Sequence, residues 1–199
     1  MEKERTLIDI SQEVLSCSVY PGDPAPEMTP VTRIDGGALY NLSGLSMCVH
    51  NGTHVDAPFH FIRDGKTIDR IPPDRFTGDC YVARHEGGMS AEDARAILRR
   101  AEDAGAARRI LIAGNATVTE AAARVFADAG IFLLGNEGQT VGPENAPMQV
   151  HLILLGAEVV LLEGIVLKDV PEGRYFLNAM PLNLAGSDGA PCRAWLMEY

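Results

Sequence analysis

Residues 50 to 60, "HNGTHVDAPFH", hold three of the five histidines in a chain of 199 residues, with one aspartate among them and no lysine or arginine. Imidazoles beside a carboxylate are the material of metal ligation and proton transfer. His50, Gly52, His54, Asp56 and His60 all carry even numbers, so an extended segment would put their side chains on one face. His50 and His54 are also spaced i, i+4, as on a helix face. Gly52, the β-branched Thr53 and Val55, and Pro58 speak against a helix. A straight strand would hold the two histidines roughly 13 Å apart, awkward for two bonds of about 2 Å to one ion. Gly52 is therefore the expected bend or bulge, and Asp56, next on the face after His54, supplies an oxygen. Two neutral imidazoles and a carboxylate suit Zn²⁺, Mn²⁺ or Fe²⁺ and not Ca²⁺. With no thiolate in the set, an open catalytic site is expected over a closed structural one. Cys48, two residues before His50, is the thiol that tempers this.

A metal held by three protein ligands calls for more carboxylate, and the second half of the chain offers candidates. His151 lies in the apolar run "VHLILLGA" and Glu163 follows "VVLL". An ionised carboxylate is rarely buried without a partner, and open α/β folds place their sites at the C-terminal ends of strands. A core or surface role stays open for His151, and a solvent-facing strand end for Glu163. Spacing alone does not join either to the first cluster.

The elements that must position these groups fall into two textures. Up to about residue 85 the chain is short β-like runs broken by Pro and Gly, as in "YPGDPAPEMTP" and "DRIPPDRF". From about 90 it alternates helix and strand. Ser90 and Asp93 form a capping-box pair ahead of Ala94, Ile97, Leu98 and Ala101 at helical spacing, with Gly105 at the stop. "RRILIAG" reads as a buried strand over 109–113, and a second helix runs from Thr117 or Thr119 to about Ala129. "IFLLG" is a strand, "MQVHLILLGA" a short buried helix, and "EVVLLEG", "YFLNAMP" and "AWLMEY" are further strands. This alternation argues α/β with a mixed, partly parallel sheet, flanking helices and a barrel-like β layer from the first half. No repeat or linker divides residues 1–199, so one domain is expected.

Composition narrows the function classes. The formal charge of −10, from 27 acidic and 17 basic residues, disfavours nucleic acid and anionic membranes as partners. No apolar run approaches bilayer length, and "MEKERTLIDI" lacks the apolar stretch of a secretion signal, so a cytoplasmic protein is expected. Cys17, Cys48, Cys80 and Cys192 are scattered without a C-x-x-C pair and read as reduced. His85–Glu86 before "GG" reads as a solvated turn. The arginine pairs at 99–100 and 108–109 read as exposed element ends, and Trp195 as core or dimer interface.

"HNGTHVDAPFH" resembles the H-x-G-T-H-x-D-x-P-x-H signature of the cyclase family of metal-dependent hydrolases, which includes bacterial kynurenine formamidase and isatin hydrolase. "YPGDP" at 20–24 and the region from "VHLILLGAEVVLLEG" to "GSDGAPCRA" are similar to the same family, so the resemblance covers nearly the whole chain. It implies a swivelling β/β/α domain and a homodimer. It implies His50, His54 and Asp56 as ligands of a first metal, Asp56 and Glu163 as bridging carboxylates, and His151 as the histidine of a second metal. His60 falls on the family's proton donor and acceptor, and Tyr20 on an aromatic substrate contact. Many members carry G-T-D-x-x-S-x-D before the His151 helix. Here the loop reads Gly135-Asn136-Glu137-Gly138-Gln139-Thr140-Val141-Gly142, with Glu137 and Gln139 as the expected pocket residues.

The expected function is hydrolysis of a C–N bond in a small amide or cyclic amide, with one or two divalent ions, Zn²⁺ or Mn²⁺, and His60 moving protons. Two alternatives stay open. One is a metal-dependent cyclisation or dehydration of a small carboxylic substrate. The other is a protein that only binds a metal or a small acid.

Overall fold

The computed structural model describes residues 6–199, and the expectation drawn from the first five residues lies outside them. In chain order the elements are β1 (Leu7–Asp9), β2 (Glu27–Thr32), β3 (Leu42–Ser46), β4 (His54–Asp56), β5 (Thr77–Arg84) and β6 (Gly87–Met89). Then come α1 (Ala91–Asp103), β7 (Arg109–Ala113), β8 (Ala116–Val118), α2 (Glu120–Asp128), β9 (Leu133–Asn136) and α3 (Met148–Gly156). β10 (Val160–Glu163), β11 (Gly173–Asn178), β12 (Gly189–Pro191) and β13 (Trp195–Met197) complete the chain.

Nine strands form one sheet in the order β1-β13-β11-β5-β7-β9-β10-β4-β12. Its centre, β5-β7-β9-β10, is parallel and its flanks are antiparallel. The mixed sheet and flanking helices are as expected. The barrel-like layer is the curl of this same sheet, into a half-barrel, because β4 from the first half pairs directly with β10 from the second.

Side-chain alternation divides the core in two. Leu111, Ala113, Val160, Leu162 and Val55 point into one apolar cluster. Ile110, Ile112, Leu134 and Leu161 point the other way, onto Ile97 of α1, Phe126 of α2 and Leu154 of α3. Strands buried on both faces need continuous apolar runs, which "ILIA" and "VLL" supply. Glu163 continues the Leu161 series and His54 and Asp56 alternate with Val55. All three therefore face the α3 side.

Local signals behave as their chemistry predicts. Ser90 and Asp93 form the reciprocal capping box of α1, and Thr119, not Thr117, caps α2 by accepting the Ala122 N–H. Thr117 belongs instead to β8, which pairs with β6 just after the non-strand residues His85 and Glu86.

Arg109 overturns its reading as an exposed strand end. It is buried, and its guanidinium donates to the carbonyls of Arg75, Asp79 and Asp74. Three backbone acceptors explain a buried cation here. Arg109→Met should therefore cost about 3 kcal/mol in stability, read as a lower midpoint in urea unfolding.

β2 and β3 form a separate two-stranded ribbon with a register shift between Pro30 and Thr32. Met28, Val31, Ile34, Tyr40, Leu42 and Leu45 on and around it are exposed, and Leu39 near its tip is 95% exposed. A lone hairpin is marginally stable in water.

Candidate metal centre and pocket

The bend expected at Gly52 is a turn that precedes β4. Gly52 has φ +62°, and a Cβ there would lie 2.9 Å from Cys17 Cβ, so both conformation and space require glycine. The turn brings the His50 and His54 rings to 5.1 Å.

It also fixes the chemistry of His54. The Gly52 carbonyl accepts from His54 Nδ1 at 2.9 Å, which leaves Nε2 as the nitrogen with a free lone pair. On α3, His151 is set the same way, its Nδ1 donating to Pro147 O at 2.9 Å. A metal-binding histidine commonly holds its other nitrogen on such a carbonyl.

Strand register supplies the acids. In the β4–β10 ladder Glu163 stands opposite His54 and Leu161 opposite Asp56. His54 Nε2 lies 3.3 Å from Asp56 Oδ1 and 3.5 Å from Glu163 Oε2. His151 Nε2 lies 3.5 Å from Asp56 Oδ2 and 3.3 Å from Glu163 Oε1. Each carboxylate thus turns a different oxygen to each imidazole, as carboxylates bridging two ions do. Donors bound at about 2.1 Å to a tetrahedral ion sit roughly 3.4 Å apart, close to all four separations. Asp56 Oδ2 is buried with no hydrogen-bond partner, and Glu163 Oε1 accepts the Val141 N–H at 2.8 Å. This nitrogen and oxygen set fits a zinc- or manganese-type ion.

Electrostatics points the same way. Burial alone would depress the His54 and His151 pKa values, but the Asp56 and Glu163 carboxylates raise both to about 10. Burial would raise the acids, yet the facing imidazoles hold Asp56 well below the usual carboxylate range and Glu163 below its own. Two buried carboxylates here demand positive charge.

His50, expected as a ligand, belongs to a second group that shares Asp56 and whose donor atoms could also hold an ion. Its Nδ1 is 2.8 Å from Asp56 Oδ1 and its Nε2 2.8 Å from Asp188 Oδ2, so carboxylates occupy both nitrogens. The cluster it joins is His50–Asp56–His60. His60, in the short turn Pro58–His60, stacks on His50 at 4.1 Å between ring centroids and lies 6.1 Å from His151. Burial lowers its pKa, against the pull of Asp56.

His50, His54, His60, His151 and Glu163 line a pocket of about 330 Å³ with Tyr20, Asp23, Cys48, Phe61, Gln139 and Thr140, a volume for a small molecule. Tyr20 donates its hydroxyl to Glu144 O at 2.7 Å, which fixes the ring at the rim. Both amide atoms of Gln139 and the Thr140 hydroxyl are buried without partners, as groups waiting for a ligand would be. Glu137 is not brought to this pocket. Its two oxygens accept the N–H groups of Gly114 and Leu167, and it lines a different hollow with Arg84 and Lys168. Its carboxylate serves the backbone at the strand ends. Asp188 and Asp23 went unread in the sequence as site residues. Nothing in the spacing of "GSDGAP" ties Asp188 to histidines more than a hundred residues earlier.

The family model Cyclase, described as "Putative cyclase", matches residues 8–142. The kynurenine formamidase of Salinibacter ruber is 35% identical over 96% of this chain and 97% of its own. That of Erythrobacter litoralis is 32% identical over 99% and 96%. Among solved structures, a predicted metal-dependent hydrolase from Bacillus stearothermophilus superposes with a TM-score of 0.80 at 28% identity, over 99% of this chain and 100% of that one. Isatin hydrolase A from Labrenzia aggregata, at 21% identity and a TM-score of 0.80 over 97% and 93%, shares the fold. Motif, strand register and relatives agree, and the chain belongs to the cyclase family of metal-dependent hydrolases.

Proposed function

We propose that this protein hydrolyses the C–N bond of a small amide, of the aryl formamide type, at one or two divalent ions held by His54, Asp56, His151 and Glu163. The observation that carries the reading is the meeting of that buried donor set with His60 on one small pocket. A bound Zn²⁺ or Mn²⁺ ion lowers the pKa of water toward neutrality and polarises a carbonyl. His60, with its pKa held down by burial, is neutral near pH 7 and can take a proton, then return one to the leaving nitrogen. The Gln139 amide and Thr140 hydroxyl offer hydrogen bonds to a polar substrate group, and Tyr20 and Phe61 offer aromatic walls. The two kynurenine formamidase relatives support an aryl formamide in particular. His50, the remaining member of the expected ligand set, is assigned here to holding Asp56.

The test is metal analysis of the purified protein, then a panel of N-formyl anilines, isatin-like rings and hydroxy acids. Turnover of the first two with bound metal is expected. Turnover of hydroxy acids alone would mean cyclisation or dehydration, and metal with no turnover at all would mean a binding protein. Four free cysteines suit a reducing compartment and support a cytoplasmic setting.

We further propose that two copies pair through the β2–β3 ribbon. The ribbon's Leu45, with Met47, faces Met180 and Leu182 across a groove of about 550 Å³. Each copy thus carries both an apolar arm and an apolar groove, the self-complementary condition for a two-fold dimer. Light scattering should give twice the 21.4 kDa chain mass, and Leu39→Asp with Leu42→Asp should give the single chain. A wild-type protein that stays at one chain mass at micromolar concentration sinks the pairing.

A further inference from the structure

One carboxylate outside the donor set touches two of the pocket's histidines. Asp188 precedes β12, and its single oxygen Oδ2 lies 2.8 Å from His50 Nε2 and 3.2 Å from His60 Nδ1. Its place is built into the sheet. The Asp188 carbonyl accepts the Ala57 N–H at 2.9 Å, the Ser187 carbonyl accepts the Ile68 N–H at 2.9 Å, and Gly189 pairs with Asp56 in the β12–β4 ladder. The same short segment therefore grips the strand of His54 and Asp56 and the turn that carries His60. A Cβ on Gly189 would lie 2.7 Å from His50 Cε1, so glycine makes room for the His50 ring between Asp56 and Asp188.

Asp188 has no other work. No lysine or arginine pairs with it among the described residues, although its side chain is 39% exposed. A neutral imidazole carries its proton on one nitrogen and a lone pair on the other, and the hydrogen bond at one decides which. His60 Nε2 has no protein partner among the described residues. It is the nitrogen left for a substrate.

We propose that Asp188 is a positioning residue. By accepting His60 Nδ1–H it selects the tautomer and ring orientation that turn the bare Nε2 to the pocket, and by holding His50 it ties that orientation to the metal-centre strand. The inference rests on reading His60 as the proton carrier. Without Asp188 the ring is free to turn, and either nitrogen can hold the proton.

The test uses the zinc-loaded full chain with Asp188→Ala and Asp188→Asn. An asparagine oxygen can accept both N–H groups without the charge; alanine accepts neither. Imidazole ¹⁵N shifts, with the His60 signals assigned by their loss in His60→Gln, should show an Nδ1–H tautomer in the wild type and in Asp188→Asn. They should show a mixture in Asp188→Ala. With an N-formyl aniline as substrate, Asp188→Ala should keep its zinc and its KM within about threefold while kcat falls about 10- to 100-fold. Asp188→Asn should recover most of that loss. An unchanged His60 tautomer in Asp188→Ala overturns the proposal, as does loss of zinc in that variant, which would place the action of Asp188 on the metal through His50. If the wild type turns over none of the panel, the ¹⁵N shifts still decide the tautomer claim, and only the hydrolase reading fails.

Discussion

Replacing His60 by alanine should leave metal content unchanged and lower kcat by about 10² to 10⁴. The separation of the two effects follows from geometry. The imidazoles of His54 and His151 each face both Asp56 and Glu163 at 3.3 to 3.5 Å, whereas His60 meets Asp56 only in the second group, with His50. His60 sits across the pocket with its ring 6.1 Å from that of His151, and its only polar protein contact among the described residues is Asp188. His54→Ala is the control that must behave differently. It removes a buried imidazole facing two carboxylates, so zinc should be lost along with turnover. Elemental analysis beside steady-state kinetics reads both quantities. A His60 variant that loses its zinc would make His60 a ligand; one that keeps full kcat would remove it from the chemistry.

The second large effect concerns stability and pH. In metal-free protein the His54 and His151 pKa values stand at about 10, above the ordinary 6.5. Their contribution is fully present below pH 6.5 and is lost as pH rises through 10. Asp56 and Glu163 are lowered from 3.8 and 4.5, so their contribution is present above pH 4.5 and is lost as pH falls. Chelator-treated protein should therefore be most stable between about pH 4.5 and 6.5 and should weaken toward pH 10. Metal reverses the trend, because ligating imidazoles must be neutral and binding displaces their protons. Thermal unfolding at pH 5.5 and 8.5, with chelator or with Zn²⁺, checks this. The chelated Tm should fall from the lower to the higher pH, and the gain from Zn²⁺ should be greater at pH 8.5. A chelated protein that gains stability over that interval would show that the carboxylates do not hold the two imidazoles charged.

Much of the molecule was legible from residue types and local periodicity. The α1 capping box, the 109–113 strand, the short helix around His151 and the bend at Gly52 all depend on neighbours a few residues away. So did the grouping of His54 with Asp56, two positions apart on one strand face. What failed was long-range. Arg109 looked exposed because nothing local shows that the carbonyls of Asp74, Arg75 and Asp79 converge on it. Glu137 and Gln139 sit two residues apart in one loop, yet one caps backbone N–H groups and the other lines the pocket. That division depends on what packs against each side of the loop.

The candidate centre shows the limit most plainly. By itself the sequence determined a strand with two ligand-type side chains, an apolar strand ending in a carboxylate and a buried helix bearing a histidine. Only the tertiary structure decided that β4 lies beside β10, in the register that sets His54 opposite Glu163, with α3 over the same face. It also decided that Asp188 joins His50 to His60 and that His50 faces carboxylates with both nitrogens. The reason is physical. Alternation along a strand is a local property of the backbone, whereas strand pairing and register are settled by burial of the whole sheet's two faces at once.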